Sequence, residues 1–434
     1  MNPRLTRREL LAGAAALAVH PGLLSARTGR AKLRHAAVGF GGMGGTDLEA
    51  IASHPDIEVV ALCDVDANHL AVKAKKYPAA KLYRDYRKMF AEIPDQIDTI
   101  NVGTPDHMHA AISLTALLKG KHVYCQKPLT HDVWESRKMT EVARAKKLVT
   151  QMGIQMHSSR EYRLAVRVIQ DGTIGKVKEV HSWSFKKWGR DGARPAGEDP
   201  VPGNLDWDLW LGTAPERPFK SRIYHPGNWR MWTDFGCGTM GDMSIHILDP
   251  IAGALELTQP KSILSESDAP PPESFSTKNI VKYVFPGTAH TVDPFPLTWY
   301  DGDAIPTGEG WPIEKKLPDQ GSMFIGEKGY MLLPHVAPPQ LLPAASFADF
   351  KMPPVVGDNH WHQWVKACKG EGTSSAGFDY AGPLTEFVLL GVIANRVPGK
   401  LLKWHAAEMK LEGSEEAAAR LRRVYRKGWE VEGL

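Results

Sequence analysis

The run His35-Ala36-Ala37-Val38-Gly39-Phe40-Gly41-Gly42-Met43-Gly44 joins a short apolar strand to glycines in the order G-x-G-x-x-G. A helical pattern over 46–53 follows, and a second strand over 58–62 leads to Asp64. Strand, glycine turn, helix and strand within about 30 residues describe a βαβ unit that holds a dinucleotide. In such a unit Gly39 permits the tight turn, Gly41 lets a pyrophosphate approach the backbone, and Gly44 lets helix and sheet pack closely. The helix N-terminus then presents free N–H groups to phosphate charge. Asp64 stands 20 residues beyond Gly44, where a carboxylate accepts hydrogen bonds from the adenine ribose and repels a 2′-phosphate. NAD is therefore expected rather than NADP, with Asp66 as a substitute for Asp64. The chain has 40 glycines, so the glycine pattern alone is weak; its flanking strand, helix and carboxylate give it weight.

Outward from this unit the alternation continues. Helices are expected to close at Lys76 and to cover 85–91, 109–118 and 134–147, with strands over 99–102, 122–125 and 148–151. Ligands of such sheets bind beyond the C-terminal strand ends. Those ends carry Thr104 and Pro105 after one strand, and Gln126 and Lys127 after the next. His107 and His109 flank the same edge, and Gln155 with His157 follows the sixth strand. Past residue 153 the pattern changes to strand runs over 177–183, 280–284 and 297–299, with a hairpin over 322–325 and 329–333. Strands without alternating helices indicate a mainly antiparallel sheet. A helix over 380–396 is expected to pack back on the first domain.

The composition is ordinary for a folded protein: 434 residues, 43% hydrophobic and 24% charged, with a net charge of +4. Disorder and nucleic-acid binding through a basic block are both excluded. Cys63, Cys125, Cys237 and Cys368 stand far apart and are expected to be small buried hydrophobes, one disulfide remaining open. Thr6-Arg7-Arg8-Glu9-Leu10-Leu11 precedes the apolar run 12–19, which reads as a twin-arginine export signal. Residues 1–31 are thus assigned to a signal and linker, 32–153 to a nucleotide-binding domain and 154–434 to a second domain. The mature protein is expected outside the cytoplasm, periplasmic and not membrane-bound.

The glycine loop, Thr104-Pro105-Asp106-His107-Met108-His109, Lys127-Pro128 and Gly241-Asp242-Met243-Ser244-Ile245-His246 together resemble the Gfo/Idh/MocA family of sugar and cyclitol oxidoreductases. The resemblance implies an α/β protein: a doubly wound Rossmann sheet, then an α+β domain with a large open sheet that bears substrate and often makes a homo-oligomer, a dimer or tetramer. It departs from the family's Glu-Lys-Pro in having Gln126. It implies that His246 accepts a proton from a substrate hydroxyl, that Lys127 assists, that Asp242 orients the histidine or binds substrate, and that His109 lies near the nicotinamide.

The residue types suit that chemistry. A lysine at a strand end stabilises a developing oxyanion, and Asp242 and His246, spaced i and i+4, share one helix face. Histidine exchanges protons near neutral pH, so loss of His246 is expected to be most severe near neutrality and below. Asp249 raises the alternative of a metal, which is not expected. The aromatic segments 206–210 and 224–235 suggest a face for a polyol or glycoside. The expected function is hydride transfer between a tightly held NAD(H) and a sugar-like hydroxyl. The alternative is a glycosidase that oxidises its sugar transiently and eliminates the leaving group.

Overall fold

The computed structural model describes residues 32–313 and 316–434; the export signal read in the sequence lies outside them. The first unit alternates strand and helix: β1 (Leu33–Val38), α1 (Met43–Ala52), β2 (Ile57–Cys63), α2 (Ala67–Lys76), β3 (Lys81–Tyr83), α3 (Tyr86–Glu92), β4 (Thr99–Val102), α4 (Asp106–Leu118), β5 (His122–Cys125), α5 (Val133–Ala145) and β6 (Thr150–Met152). All neighbouring strands are parallel, in the order β3-β2-β1-β4-β5-β6. Helices cover both faces of such a sheet, which is why β4 is buried at all four positions, its polar Thr99 and Asn101 lying 3.0 and 2.9 Å from the ring nitrogens of buried His35. The strand order switches side between β1 and β4, so a crevice opens at their C-terminal ends.

The second unit opens with α6 (Arg160–Gln170) and β7 (Val177–Ser184), and continues through α7 (Trp207–Leu211), α8 (Gly238–Ile247) and α9 (Asp249–Leu255). Strands β8 (Ser262–Ser265), β9 (Lys278–Phe285), β10 (Phe295–Gly302), β11 (Gln320–Gly326), β12 (Tyr330–Pro334) and β13 (Gln340–Leu342) follow. After α10 (His360–Cys368) and α11 (Phe378–Ala394), the edge strands β14 (Leu402–His405) and β15 (Lys410–Glu412) precede α12 (Glu415–Ala419). The nine-stranded sheet runs β13-β12-β11-β7-β10-β9-β8-β14-β15. It is mostly antiparallel, with β10 and β7 parallel at its centre.

The expected α/β plus α+β architecture is observed, with local differences. The helix expected from His109 begins at Asp106, because Pro105 and an acidic first residue suit a helix start. The strand expected over 297–299 is longer, running as β10 to Gly302: Trp299 Nε1 donates to buried Asp301 at 2.7 Å, holding both inside. Helix α11 is apolar nearly all round and buried. It meets α5 through Ser136, whose hydroxyl donates to Gly382 O at 3.1 Å, and through the Arg137–Glu386 pair at 2.7 Å. Helix α10 returns to the first sheet, where Trp364 meets Tyr124 edge-on at 5.7 Å. Such a contact adds about 1 kcal/mol to the burial of both rings. All four cysteines are buried free thiols.

Candidate active site

A cleft of about 690 Å³ opens at the C-terminal edge of the parallel sheet. At one end, Gly39 leaves β1 with φ of 72°, and a Cβ on Gly44 would lie 2.2 Å from Gly39 O. A side chain at Gly44 would therefore push α1 off the sheet. Gly41, Gly42, Met43 and Gly44 line the cleft, so the N-terminus of α1 faces it, as anion binding requires. Asp64 lines the same end, its carboxylate fixed by Phe40 N at 3.0 Å and Asp66 N at 2.9 Å. Asp66, the expected substitute, is used otherwise: it caps α2 through Asn68 N and accepts from Asn204 Nδ2, both at 2.8 Å.

Thr104, Pro105, Gln126, Lys127 and Gln155 line the cleft as expected. Three other expected contacts do not. Phe40 is buried in the core behind the loop and offers only its amide, to Asp64. His107 is fully buried against Phe235 at 5.2 Å, with Nε2 3.2 Å from Trp210 O. His109 is buried with its ring nitrogens 2.8 Å from the carbonyl oxygens of Pro128 and Thr104. On α4 these histidines point into the second layer, so they brace the cleft wall. Burial lowers the His109 pKa to about 4. His157 also turns away from the cleft, to Asp249 at 2.8 Å.

At the other end, Lys127 and Asp242 meet. Lys127 Nζ donates to Asp242 Oδ1 at 2.7 Å and to its carbonyl at 3.1 Å, while Arg230 Nε reaches the same Oδ1 at 3.0 Å. Burial pushes the Asp242 carboxyl upward, but the charges of Lys127 and Arg230 outweigh it and hold the group below the ordinary carboxylate range. This corrects one expectation: Asp242 holds the two cations and has no hydrogen bond to His246. One turn along α8, His246 lines the cleft with its Nδ1 unpartnered. Burial first, then the Lys127 charge and His335, push its protonation well below the usual histidine range. That environment favours the neutral imidazole and moves its titration below the range expected from the sequence.

Sequence reading missed several lining groups. His335, after β12, stands 5.9 Å from His246 ring to ring and is held by Tyr162, whose hydroxyl lies 2.6 Å from Nδ1. Nothing in the sequence around a lone histidine after a strand marks it. Lys186 and Trp188, beyond β7, also line the cleft. Asp106 was within reach of sequence reading, inside the Thr104–His109 stretch: it is buried in the cleft wall, and burial plus the Asp242 charge push it up to about 7. Behind the cleft, Asp47 of α1 accepts from Gln126 Nε2 at 2.8 Å and Trp361 Nε1 at 2.9 Å.

A glycine turn, a ribose-ready carboxylate and a lysine–carboxylate–histidine group thus share one crevice. Residues 33–154 match the family model described as oxidoreductase family, NAD-binding Rossmann fold, and residues 164–290 match that family's C-terminal alpha/beta domain. The chain belongs to the Gfo/Idh/MocA family. Levoglucosan dehydrogenase of Pseudarthrobacter phenanthrenivorans is 25% identical over 41% of this chain and 38% of its own length. Inositol 2-dehydrogenase of Salmonella typhimurium is 28% identical over 34% of this chain and 45% of its own. The matched part is less than half the length of either relative. Among solved structures, the WlbA dehydrogenase from Bordetella pertussis, in complex with NADH and UDP-GlcNAcA, superposes with a TM-score of 0.62 at 14% identity, covering 86% of this chain and 99% of that one.

In this Gfo/Idh/MocA member two further segments close the crevice. The aromatic stretch expected to face a sugar is mostly a core of its own, in which Trp207 stacks on Trp210 at 4.7 Å. Only part of it, including Trp210, Trp229 and Arg230, reaches the cleft. The second segment follows α12. Arg423 pairs with Glu135 at 2.7 Å and Arg426 with Asp208 at 2.5 Å. These anchors bring Trp429 to the cleft wall, with the Arg87 guanidinium 3.8 Å from its ring centre. No helix among the described residues is long and apolar enough to cross a membrane.

Proposed function

We propose that this protein is a NAD-dependent dehydrogenase acting on a hydroxyl of a sugar, polyol or glycoside. The observation that carries the reading is the placement of Lys127, beside Asp242 and His246, in the same crevice as the glycine turn and Asp64. The residues present fit a dinucleotide: the N-terminus of α1 would receive the pyrophosphate, and the Asp64 carboxylate favours unphosphorylated adenine ribose, hence NAD over NADP. Thr104 Oγ1, buried on the cleft wall, has no hydrogen-bond partner in the protein, as expected of a group that serves a ligand.

When bound, the nicotinamide supplies the hydride acceptor. The chain's own residues do the rest. Neutral His246 takes the hydroxyl proton as general base. Lys127 donates to the alkoxide oxygen as its charge develops. Asp242 keeps the Lys127 ammonium aimed, and Arg230 with it. His335, held by Tyr162, adds a second imidazole to the substrate wall. Export by the twin-arginine route would remove the protein from the cytoplasmic NAD pool, so the cofactor is retained through turnover, and the Trp429 segment supports that reading.

The test is to denature purified protein and identify the released nucleotide by mass. NAD(H) is expected, and Lys127→Ala is expected to abolish turnover with the nucleotide still bound. A preparation that never carries or binds nucleotide would refute the proposal. Release of free sugar from a glycoside without gain of the reduced-nicotinamide band, at roughly 340 nm, would instead identify the glycosidase.

A further inference from the structure

The substrate half of the cleft carries more positive charge than it neutralises. Lys127 and Arg230 share one carboxylate oxygen, Oδ1 of Asp242, and their remaining bonds go to the neutral carbonyls of Asp242 and Gly227. Lys186 lines the same space and has no carboxylate partner among the described residues. The other carboxyl at this end, Asp106, is buried and pushed up to about 7, so near neutral pH it carries only part of a negative charge. Three cations therefore face one full carboxylate and one that is only partly ionised. The remaining lining carboxylates, Asp64 and Asp85, stand at the ends of β2 and α3, where Phe40 N and Arg87 hold them.

Lys186 belongs with the histidines and not with the glycine turn. Its charge is felt by both His246 and His335, and burial together with Lys186 and Lys127 lowers His335 to about 4. Trp188 and Trp229 stand at 5.5 and 4.3 Å from the Arg230 guanidinium, presenting apolar surface around the charged group. Lys186 is exposed on this wall, and together with Lys127 and Arg230 it gives the cleft a positive field that attracts an anion.

We propose that the sugar oxidised here is acidic, bearing a carboxylate or sulfate received by Lys186 with Arg230 beside it. This rests on the dehydrogenase reading above and adds the substrate class. The aromatic surfaces take the C–H faces of the sugar ring, Lys127 and His246 take the reacting hydroxyl, and Lys186 reads the anion. Lys186 is thus a specificity-determining residue, and its contribution appears in KM for acidic sugars.

The test uses the nucleotide-loaded enzyme with glucose, glucuronate and glucose 6-sulfate, following reduction of the bound nicotinamide. At least one acidic sugar is expected to exceed glucose in kcat/KM by about 10-fold or more, with the advantage shrinking as salt is raised. Lys186→Ala is expected to erase that advantage through KM, and Lys186→Arg to restore most of it. Equal or better use of glucose would overturn the assignment. So would a Lys186→Ala variant that keeps the acidic preference, or one that loses nucleotide instead, which would place the lysine on the pyrophosphate. A wild-type protein that holds no nucleotide would overturn the dehydrogenase reading itself, and a loaded enzyme that oxidises none of the three would overturn the acidic-sugar proposal.

Discussion

Asp242 holds two cations with one oxygen, so its loss has a specific signature. Asp242→Asn keeps the shape but leaves Lys127 and Arg230 repelling each other. Activity is expected to fall by about 100-fold or more, with thermal stability reduced by about 1–3 kcal/mol and nucleotide retained. Steady-state rates and a melting curve on the same preparation check this. His246 sets the pH behaviour. Its pKa is depressed, so the base is already deprotonated at neutral pH, and protonation removes it only well below the ordinary histidine range. The acid limb of kcat/KM from this group should therefore lie below the ordinary histidine range. His246→Ala should lose a similar factor at every pH from about 6 to about 8; a loss that grows from pH 8 toward pH 6 would contradict this.

At the scale of elements, Gln126 finds its reason in α1. The usual Glu-Lys-Pro would set a second carboxylate against Asp47, which burial already pushes up to about 6. The Gln126 amide instead donates to Asp47 and ties β5 to α1. Gln126→Glu should destabilise the fold by about 1–3 kcal/mol at neutral pH, and less near pH 5, where one carboxyl binds a proton. Urea unfolding at the two pH values distinguishes this from a uniform loss. A second tie joins α9 to the segment after β6. Burial lowers the His157 pKa, but Asp249 at 2.8 Å outweighs it, so the folded value is raised. Its stabilisation is full below the unfolded histidine pKa and is lost as pH rises through the raised value. His157→Gln should therefore cost most near about pH 6 and less above about pH 8.

What the sequence revealed divides along the same line. The glycine turn, its strand and Asp64 are local, and their spacing suffices to place them. Asp242 and His246 could be put on one helix face, yet Asp242's true partner, Lys127, stands 115 residues away, so the orienting role went to the wrong neighbour. His107 and His109 sit beside the correct strand end, but the phase of α4 on the sheet turns them inward, and only packing sets that phase. His335 and Lys186 arrive from the second sheet, whose register against the first no local pattern records.

At the scale of the molecule, the crevice is assembled from both sheets and from the segment after α12, which reaches it through Arg423 and Arg426. Trp429→Ala should leave the two sheets intact, with little change in melting temperature of the empty protein. It should speed nucleotide loss by about 10-fold or more, measured by dilution and filtration. The strap also works in reverse. A ligand wedged beneath Trp429 would brace the residues that lie across it, so trypsin should cut at exposed Arg422 or Lys427 faster in the empty protein than in the loaded one. The coenzyme would then serve as a clasp for the chain as well as its reactant.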